Sequence, residues 1–309
     1  MCATTTTETT NGKPVLALAV MTIIWGYNWV VMKETLHFCD PFVFAAMRAF
    51  PAAICLFGIL LWARKDWRPR QVKWTILLGF LSTTLGLGLP ILSLVSGGAG
   101  KTAILLYTMP FWVILLAWPI LGERIRGLEW LAVILAFAGL ALIVAVDAAG
   151  AKLFSSILAV ISGIAWAGSA IVARIMSRNR EFDVLSVTTW QMIYGVGPLM
   201  LIAFLVPSSP IQWTPIFIAA LVYNIFITSV VAFLLWFYIM EKLPAGIATM
   251  GTLVTPVIAV VSAAVQLGEI PTLYENVGII LILSGIGLLS AVAFLRIRRV
   301  RIKPPPSFS

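Results

Sequence analysis

Arg48 is the residue whose position most clearly requires a binding partner, because it lies inside the long apolar stretch Pro41–Trp62. An ionised side chain in the middle of a membrane-spanning helix costs about 2.5–3.5 kcal/mol, so it must face the protein interior. A guanidinium recognises a carboxylate through two parallel hydrogen bonds. Two interpretations are open: Arg48 docks the carboxylate of a small solute, or it anchors its helix by bonding to carbonyls or to a loop carboxylate such as Glu275.

Aromatic and uncharged polar residues recur at a similar depth in several apolar stretches and could line a cavity around a solute. Rings offer apolar contact area, and amides and hydroxyls offer hydrogen bonds, although the same side chains also serve helix packing and membrane interfaces. The candidate binding residues are Trp25, Asn28, Arg48, Tyr107, Trp112, Trp166, Ser169, Tyr194, Asn224 and Thr252, with Trp190, Gln191, Thr228, Thr249 and Thr255 at comparable levels.

Catalytic chemistry has no motif to support it in this sequence. No His-Glu-x-x-His zinc motif and no nucleophile elbow occur. The run Ser96–Thr102 ends in Gly-Lys-Thr, but Val95 stands where a phosphate-binding loop needs glycine, so ATP is not expected as a ligand. The three cysteines are too scattered for a metal cluster. We therefore expect no enzyme activity, no cofactor and no metal.

The elements that must position these residues are membrane-spanning helices. Of the 309 residues 61% are hydrophobic and only 11% are charged, which excludes a soluble domain with an ordinary polar surface. Apolar runs of about 20 residues predict helices, because lipid offers no partner for unpaired backbone groups and the runs lack the alternation of barrel strands. The ten predicted helices are Pro14–Met32, Pro41–Trp62, Val72–Val95, Thr102–Leu121, Leu128–Val146, Leu153–Met176, Val184–Val206, Pro215–Met240, Ala245–Leu267 and Leu273–Leu295.

The stretch Ala99–Val146 occurs again as Ala245–Val292, with identical residues at 14 of 48 positions. The identities include residues with special backbone or charge roles: Ala99-Gly100 recur as Ala245-Gly246, Pro110 as Pro256, Gly122-Glu123 as Gly268-Glu269, Glu129 as Glu275 and Gly139 as Gly285. Weaker matches pair Trp25 with Trp166 and Lys33 with Arg174. Each half then holds five helices, an odd number, so the second half must be inverted relative to the first.

Positive charge is distributed unevenly between the two sets of loops. The N-terminal segment, the loops after the even-numbered predicted helices and the C-terminal segment hold 17 of the 21 lysines and arginines. Lys33, Lys101 and Lys152 lie on the other side, and Arg48 lies inside a helix. This bias places the first set of segments, and with them both termini, in the cytoplasm. The net charge of +9 is thereby explained, and nucleic acid is not expected as a partner.

Several of these features occur together in one known family. Trp25 is followed by Lys33 in the first helix, Pro41 and Arg48 open the second, and the Ala-Gly, Pro and Gly-Glu block stands in both halves. Over residues 13–296 the chain thereby resembles the EamA-type branch of the drug/metabolite transporter superfamily, and within it is most similar to bacterial exporters of aromatic amino acids. The resemblance implies a ten-helix metabolite exporter of the bacterial inner membrane, with a central cavity lined by both halves.

The expected organisation is an all-α integral membrane protein of ten transmembrane helices in two inverted five-helix repeats. A disordered cytoplasmic N-terminus (1–13) precedes the first half (14–148) and the inverted second half (149–296), and a basic cytoplasmic tail (297–309) follows. Pro110 and Pro256 remove backbone donors and kink the fourth and ninth helices. These helices are candidate gates, although a static kink needed for packing would explain the prolines as well.

We expect a secondary transporter that exports small organic metabolites, aromatic or other apolar amino acids first, by alternating access. The candidate cavity carries a positive charge but no acid, which argues against the alternative of a multidrug exporter of cations. No Asp or Glu lies in the middle of a predicted helix, which favours facilitated or weakly coupled transport over stoichiometric proton exchange. Other classes left open are a membrane enzyme, a channel and a scaffold without transport. The expected partners are the small-molecule substrate and the lipid bilayer; the oligomeric state is open, and a monomer is compatible with the sequence.

Overall fold

The computed structural model describes residues 12–147, 150–178, 182–243 and 253–302, and within these ranges the regular structure is entirely helical. We number the membrane helices α1 to α10. They are α1 Gly12–Thr35, α2 Pro41–Trp62, α3 Val72–Ser93, α4 Ala99–Leu121, α5 Leu128–Val146, α6 Ala151–Met176, α7 Val184–Leu205, α8 (215–242), α9 Val254–Leu267 and α10 Leu273–Ile302. The expected all-α membrane fold is confirmed for the described residues.

Nine of the described helices are long and apolar enough to cross a membrane. The remaining one, α9, is described from Val254 onward, so the predicted start of this helix at Ala245 and the candidate Thr252 lie outside the described residues. The predicted N-terminal segment up to residue 11, the Pro-rich end of the tail and Ala245-Gly246 lie outside as well. At the other boundary α10 continues to Ile302, beyond its predicted end at Leu295.

The contact between α5 and α10 displays the symmetry of the two halves. A Cβ atom on Gly139 would lie 2.5 Å from the carbonyl oxygen of Gly278, and a Cβ atom on Gly285 would lie 2.7 Å from that of Ala132. The repeat relates Gly139 to Gly285 and Ala132 to Gly278, so the two close approaches are the same contact seen from each half. Small residues at equivalent positions let the two backbones touch. The structure thus pairs the halves about a pseudo-two-fold axis.

Two helices contain π-helical turns, in which the hydrogen bonds run from residue i to i+5. They are α3, at Phe80–Leu85, and α8, at Tyr223–Val231, which are the third helices of the two halves. Such turns shift the helical register and leave carbonyl groups to be satisfied from outside the helix. The sequence analysis predicted both helices as regular, so these turns are an addition to it.

The fourth helix breaks where its proline predicts a kink. The helix consists of Ala99–Leu106 and Met109–Leu121, with Pro110 in the first turn of the second segment. At that position the missing N–H needs no partner, so the break places proline where a helix accepts it. Pro256 likewise stands in the first turn of α9, which begins at Val254. Both candidate gates therefore have their proline beside a helix start.

The close approach of α3 and α7 gives a direct test of this packing. A Cβ atom on Gly195 would lie 2.3 Å from the carbonyl oxygen of Gly79 and 2.5 Å from Thr83 Cβ, whereas a Cβ atom on Gly197, two residues further along α7, would meet nothing within 4 Å. We expect Gly195→Ala to lower the unfolding temperature in detergent by roughly 3–10 °C, because overpacking forces the helices apart. Gly197→Ala should leave it unchanged or slightly higher. Equal values for both variants would contradict the packing described.

Candidate functional site

The side chain of Arg48 is buried where α1, α2 and α8 meet, with 6% of its surface exposed. Its Nη1 donates to the thioether of Met32 at 2.8 Å, and its Nη2 lies 3.4 Å from Thr228 Oγ1. Its Nε makes no hydrogen bond. Neither Met32 nor Thr228 carries a charge, so none of the partners described for Arg48 is a counter-ion.

Two buried amides belong to the same junction. Asn28 on α1 and Asn224 on α8 are 7% and 0% exposed, and the Oδ1 atom of each lacks a hydrogen-bond partner. Asn28 lies one helical turn before Met32, which contacts Arg48. Asn224 accepts, through its backbone carbonyl, a hydrogen bond of 2.8 Å from Thr228, the hydroxyl that faces Arg48. We call these five residues, Asn28, Met32, Arg48, Asn224 and Thr228, the Arg48 cluster.

The π-helical turn of α8 explains why Thr228 stands in this cluster. Within this turn the hydroxyls of Thr228 and Ser229 both donate to the carbonyl of Asn224 at 2.8 Å. Thr228 thus bonds on one side to its own helix and on the other to Arg48 on α2. Asn and Thr four residues apart in an apolar helix are a sequence signal from which the contact between Thr228 and Arg48 could have been predicted.

Trp25 and Trp166 form equivalent hydrogen bonds in the two halves. The indole of Trp25 on α1 donates to the carbonyl of Thr228 at 3.3 Å, and that of Trp166 on α6 donates to the carbonyl of Gly86 at 2.8 Å. Thr228 lies in the π-helical turn of α8, and Gly86 directly follows that of α3. Both rings are half-buried. Each tryptophan therefore joins the first helix of one half to the third helix of the other.

The remaining candidates are spread over other parts of the molecule. Tyr107 packs between the two largest apolar clusters, and Trp112 stacks edge-on against Phe137 with ring centroids 4.7 Å apart. Tyr194 packs on Trp190, with centroids 5.5 Å apart, and the Trp190 indole donates to the carbonyl of Trp67 in the α2–α3 loop. The Ser169 hydroxyl donates to the carbonyl of Trp166 in its own helix. The structure thus brings together Trp25, Asn28, Arg48 and Asn224, and it places these other residues elsewhere.

An ionic cluster ties the helix ends on the side that the charge bias assigns to the outside. The carboxylate of Glu269 accepts hydrogen bonds from the backbone N–H groups of Ala99, at 3.0 Å, and Gly100, at 3.3 Å. A carboxylate at this place satisfies free N–H groups and the positive end of the α4 dipole. Because Glu269 lies two residues beyond Leu267, the last residue of α9, the end of α9 lies at the start of α4, and these two helices are antiparallel.

Lysines complete this outer ionic cluster. Lys101 pairs with Asp147 at 2.6 Å and with Glu275 at 3.3 Å, and Lys33 donates to the carbonyls of Leu94 and, at 2.8 Å, Gly97. Lys33 also lies near enough to Glu269 for electrostatic attraction. Glu275 was named above as a possible partner of Arg48; the structure gives it Lys101 instead. The outer cluster consists of Lys33, Lys101, Asp147, Glu269 and Glu275.

The opposite end of α4 borders a cavity of about 590 Å³. It is lined by Ile114, Ala117, Gly122, Glu123, Arg124, Ile125, Arg126 and Glu129. At its rim Glu123 forms an exposed ion pair with Arg174 at 2.9 Å, rather than with Arg124 or Arg126 as its neighbourhood in the sequence would favour. This end carries the basic loops, so the charge bias assigns the cavity to the cytoplasmic side.

Within the described residues no group of three or more histidine, cysteine, aspartate or glutamate side chains could hold a metal ion. A second cavity, of about 320 Å³, is lined only by apolar residues of α2, α7 and α8. Phe50 and Met200 at its rim are 46% and 44% exposed, so this groove faces the lipid. Among the described residues, the fully buried side-chain atoms without a hydrogen-bond partner are Arg48 Nε, the Oδ1 atoms of Asn28 and Asn224, and Thr255 Oγ1 on α9, so three of the four belong to the Arg48 cluster.

The bond between Glu269 and the start of α4 should hold the outer side closed. In a cysteine-free background, a reporter cysteine introduced as Ala263→Cys would lie in the α4–α9 contact, where Ala263 is 1% exposed. We expect Glu269→Gln to raise the rate at which an impermeant maleimide labels this reporter by roughly threefold to tenfold, since a charge at a helix N-terminus contributes up to about 2 kcal/mol. Asp66→Asn, in an exposed loop on the other side, is the control. An unchanged labelling rate in Glu269→Gln would contradict the assignment.

Cys39, in the loop between α1 and α2, offers a test of burial near the outer cluster. Its thiol is buried, and this burial, together with the negative charge of Asp40, raises its pKa to about 11. A raised thiol pKa means that the reactive thiolate is scarce at neutral pH. We expect an impermeant maleimide to leave Cys39 unlabelled at pH 7 and to label it faster as the pH rises to 9. A Ser208→Cys variant, at an exposed position of the α7–α8 loop, should react at both values, and equal rates at pH 7 would contradict the burial of Cys39.

Comparison with known proteins agrees with this architecture. The model of the EamA-like transporter family matches residues 12–145 and again 153–291. The uncharacterized transporter YoaV of Bacillus subtilis (strain 168) is 26% identical over 89% of this chain and 95% of its own length. The probable amino-acid metabolite efflux pump of Escherichia coli (strain K12) is 26% identical over 88% of this chain and 92% of its own. A solved crystal structure shares the fold, with a TM-score of 0.62 at 16% identity over 91% of this chain and 98% of that one. Two matches of the family model, one for each half, cover most of the sequence, and the chain belongs to the EamA-like transporter family.

Proposed function

We propose that this protein exports small organic metabolites, aromatic or other apolar amino acids first, from the cytoplasm across the bacterial inner membrane by alternating access. The observation that carries the proposal is the buried Arg48, which lies among α1, α2 and α8 with only neutral partners. A buried guanidinium without a counter-ion is a binding point for a carboxylate. Relatives named as probable amino-acid metabolite efflux pumps support the same substrate class.

The proposed route starts on the cytoplasmic side, where a cavity lies beside Glu123 at the end of α4. A movement of the helices that opens this side would join it to the Arg48 cluster. The outer cluster closes the far side in this conformation, since Glu269 caps α4 and Lys101 bridges Asp147 and Glu275. The segments beyond Pro110 and Pro256 act as gates, because a helix broken at proline can change its angle without breaking further hydrogen bonds.

Transport is facilitated or weakly coupled to protons. In the described part of the chain every carboxylate lies in a loop or within the first or last turn of a helix, including Glu129 at the start of α5 and Asp147 at its end. The membrane interior thus offers no carboxylate for obligatory proton exchange among these residues. Weak coupling to protons agrees with a cluster whose charged member is Arg48 and not a carboxylate.

Flux of labelled phenylalanine in proteoliposomes, with and without an imposed pH gradient, tests the proposal. We expect saturable, competable flux without a gradient. Arg48→Ala should reduce the flux at low substrate concentration by at least tenfold, because a charge-assisted hydrogen bond contributes about 1.5–3 kcal/mol. Arg48→Lys should keep part of the activity, since it retains the charge but loses the planar donor pair.

Each variant needs evidence of folding, which its unfolding temperature in detergent provides. Normal flux in folded Arg48→Ala would assign Arg48 to anchoring the helix alone. Accumulation of phenylalanine that strictly follows the pH gradient would contradict weak coupling. Saturable flux of an organic cation with none of phenylalanine would favour the alternative substrate class, cationic drugs.

A further inference from the structure

The inverted repeat builds the same joint twice, and the two copies differ in chemistry. Arg48 follows the first residue of α2 by seven positions, and Gln191 follows the first residue of α7 by seven. Arg48 contacts the π-helical turn of α8, and Gln191 contacts the π-helical turn of α3. Both are therefore polar side chains of a second helix that meet the third helix of the opposite half. Features that both contacts share are needed for the fold, and features found only at Arg48 call for another explanation.

The joint around Gln191 is neutral and holds no free buried acceptor. The Oε1 atom of Gln191 accepts hydrogen bonds from the hydroxyls of Ser82 and Thr83, and the Thr84 hydroxyl donates to the carbonyl of Gly195 at 2.7 Å. No fully buried side-chain atom of these residues lacks a hydrogen-bond partner. Gly79 and Gly195 allow the two backbones to touch beside this network. The fully buried polar atoms of this joint are thus paired, as a structural contact in lipid requires.

The Arg48 cluster occupies the equivalent place and is not saturated. It presents one free donor, Arg48 Nε, and two free acceptors, the Oδ1 atoms of Asn28 and Asn224. All three side chains are more than nine-tenths buried. An unpaired buried polar group costs about 1–3 kcal/mol, and more when it is charged. The Gln191 joint pairs its fully buried polar atoms, so the equivalent contact in this fold does not require three open groups.

The residues that carry the free groups are neighbours of the residues that contact Arg48. Trp25, Asn28 and Met32 are spaced three and four residues apart, which places them on one face of α1. Trp25 bonds to Thr228 O and Met32 contacts Arg48, so Asn28 lies between two residues that reach the other two helices of the cluster. Asn224 lies one turn before Thr228 on α8, and its backbone carbonyl accepts the hydrogen bond of the Thr228 hydroxyl. Each amide is therefore about one helical turn from a residue that contacts Arg48.

We propose that the Arg48 cluster recognises the zwitterionic backbone of an α-amino acid: Arg48 holds the carboxylate, and the amide oxygens of Asn28 and Asn224 hold the ammonium group. This inference deepens the proposed function and rests on it. Neutral amide oxygens accept hydrogen bonds from an ammonium without neutralising Arg48, so both ends of the zwitterion find partners. A carboxylic acid without an amino group leaves the two amide oxygens unpaired. An amine without a carboxylate places a second positive charge beside Arg48.

Competition against uptake of labelled phenylalanine in proteoliposomes of the full-length protein tests the assignment. The unlabelled competitors are phenylalanine, 3-phenylpropionate, which lacks the ammonium, and 2-phenylethylamine, which lacks the carboxylate. In the wild-type protein we expect 3-phenylpropionate to compete at least about tenfold more weakly than phenylalanine, because it leaves buried acceptors unpaired. The amine should compete still more weakly.

Variants locate the discrimination. Asn224→Leu and Asn28→Leu remove the amide oxygens with little change in volume. Each should weaken competition by unlabelled phenylalanine by on the order of tenfold, because its ammonium loses an acceptor. Competition by 3-phenylpropionate should stay within about twofold of that in the wild-type protein. The matched control is Thr189→Val, in which a buried hydroxyl bonded only to its own helix is replaced. In this control variant, each of the three competitors should inhibit uptake as strongly as it does in the wild-type protein.

The outcomes separate the inference from the proposed function. Saturable phenylalanine uptake with equal competition by 3-phenylpropionate in the wild type overturns zwitterion recognition while export stands, and this holds even where a variant fails to fold. A folded Asn224→Leu or Asn28→Leu protein that retains wild-type discrimination overturns the assignment of that amide. Wild-type protein that is folded but takes up no amino acid overturns both proposals together.

Discussion

Backbone groups inside a membrane find no water, and the π-helical turns of α3 and α8 are where this constraint is most demanding. Each turn releases carbonyls from the regular ladder, and side chains from elsewhere must satisfy them. Trp166 donates to Gly86 and Trp25 donates to Thr228, so the same device serves both halves. Because each tryptophan lies on the first helix of the opposite half, satisfying these carbonyls also fastens the halves to each other. The position of Thr228, and with it the surroundings of Arg48, follows from this bonding.

The pseudo-two-fold axis makes the difference between the halves informative. Equivalent positions carry Gln191 in one half and Arg48 in the other. The hydroxyls of Ser82 and Thr83 pair the Oε1 atom of Gln191, whereas Arg48 Nε has no hydrogen-bond partner. If both contacts served packing alone, the protein would be more stable with every buried polar atom paired in both of them. One half therefore holds a neutral contact, and the other holds charge and open hydrogen-bonding capacity at the symmetry-related position. This difference between the halves is what supports the proposed binding role of the Arg48 cluster.

The sequence predicted the helices, their repeat and the depth of Arg48, because apolar length and residue identity are local properties. It did not predict the π-helical turns, since their hydrogen bonds depend on partners such as Trp25 that lie far away in the chain. It offered Glu275 to Arg48, whereas the structure pairs Glu275 with Lys101, and it gave no sign that Glu123 pairs with Arg174. Ion pairs between distant helices depend on packing geometry, which composition and spacing do not encode. The candidate residues on α1, α2 and α8 lie close together because these three helices meet at Arg48.

The neutral surroundings of Arg48 also bear on the relative free energies of the empty and the loaded site. A built-in carboxylate beside Arg48 would neutralise the charge and remove most of the cost of burying it, but the empty and loaded sites would then be nearly alike in free energy. With neutral partners such as Met32 and Thr228, burial of the empty site is costly, and a bound carboxylate lowers that cost. Net export requires the empty carrier to return, so this cost slows the return step and does not forbid it. Under the proposal above, the loaded site is favoured over the empty one without a titrating carboxylate in the membrane.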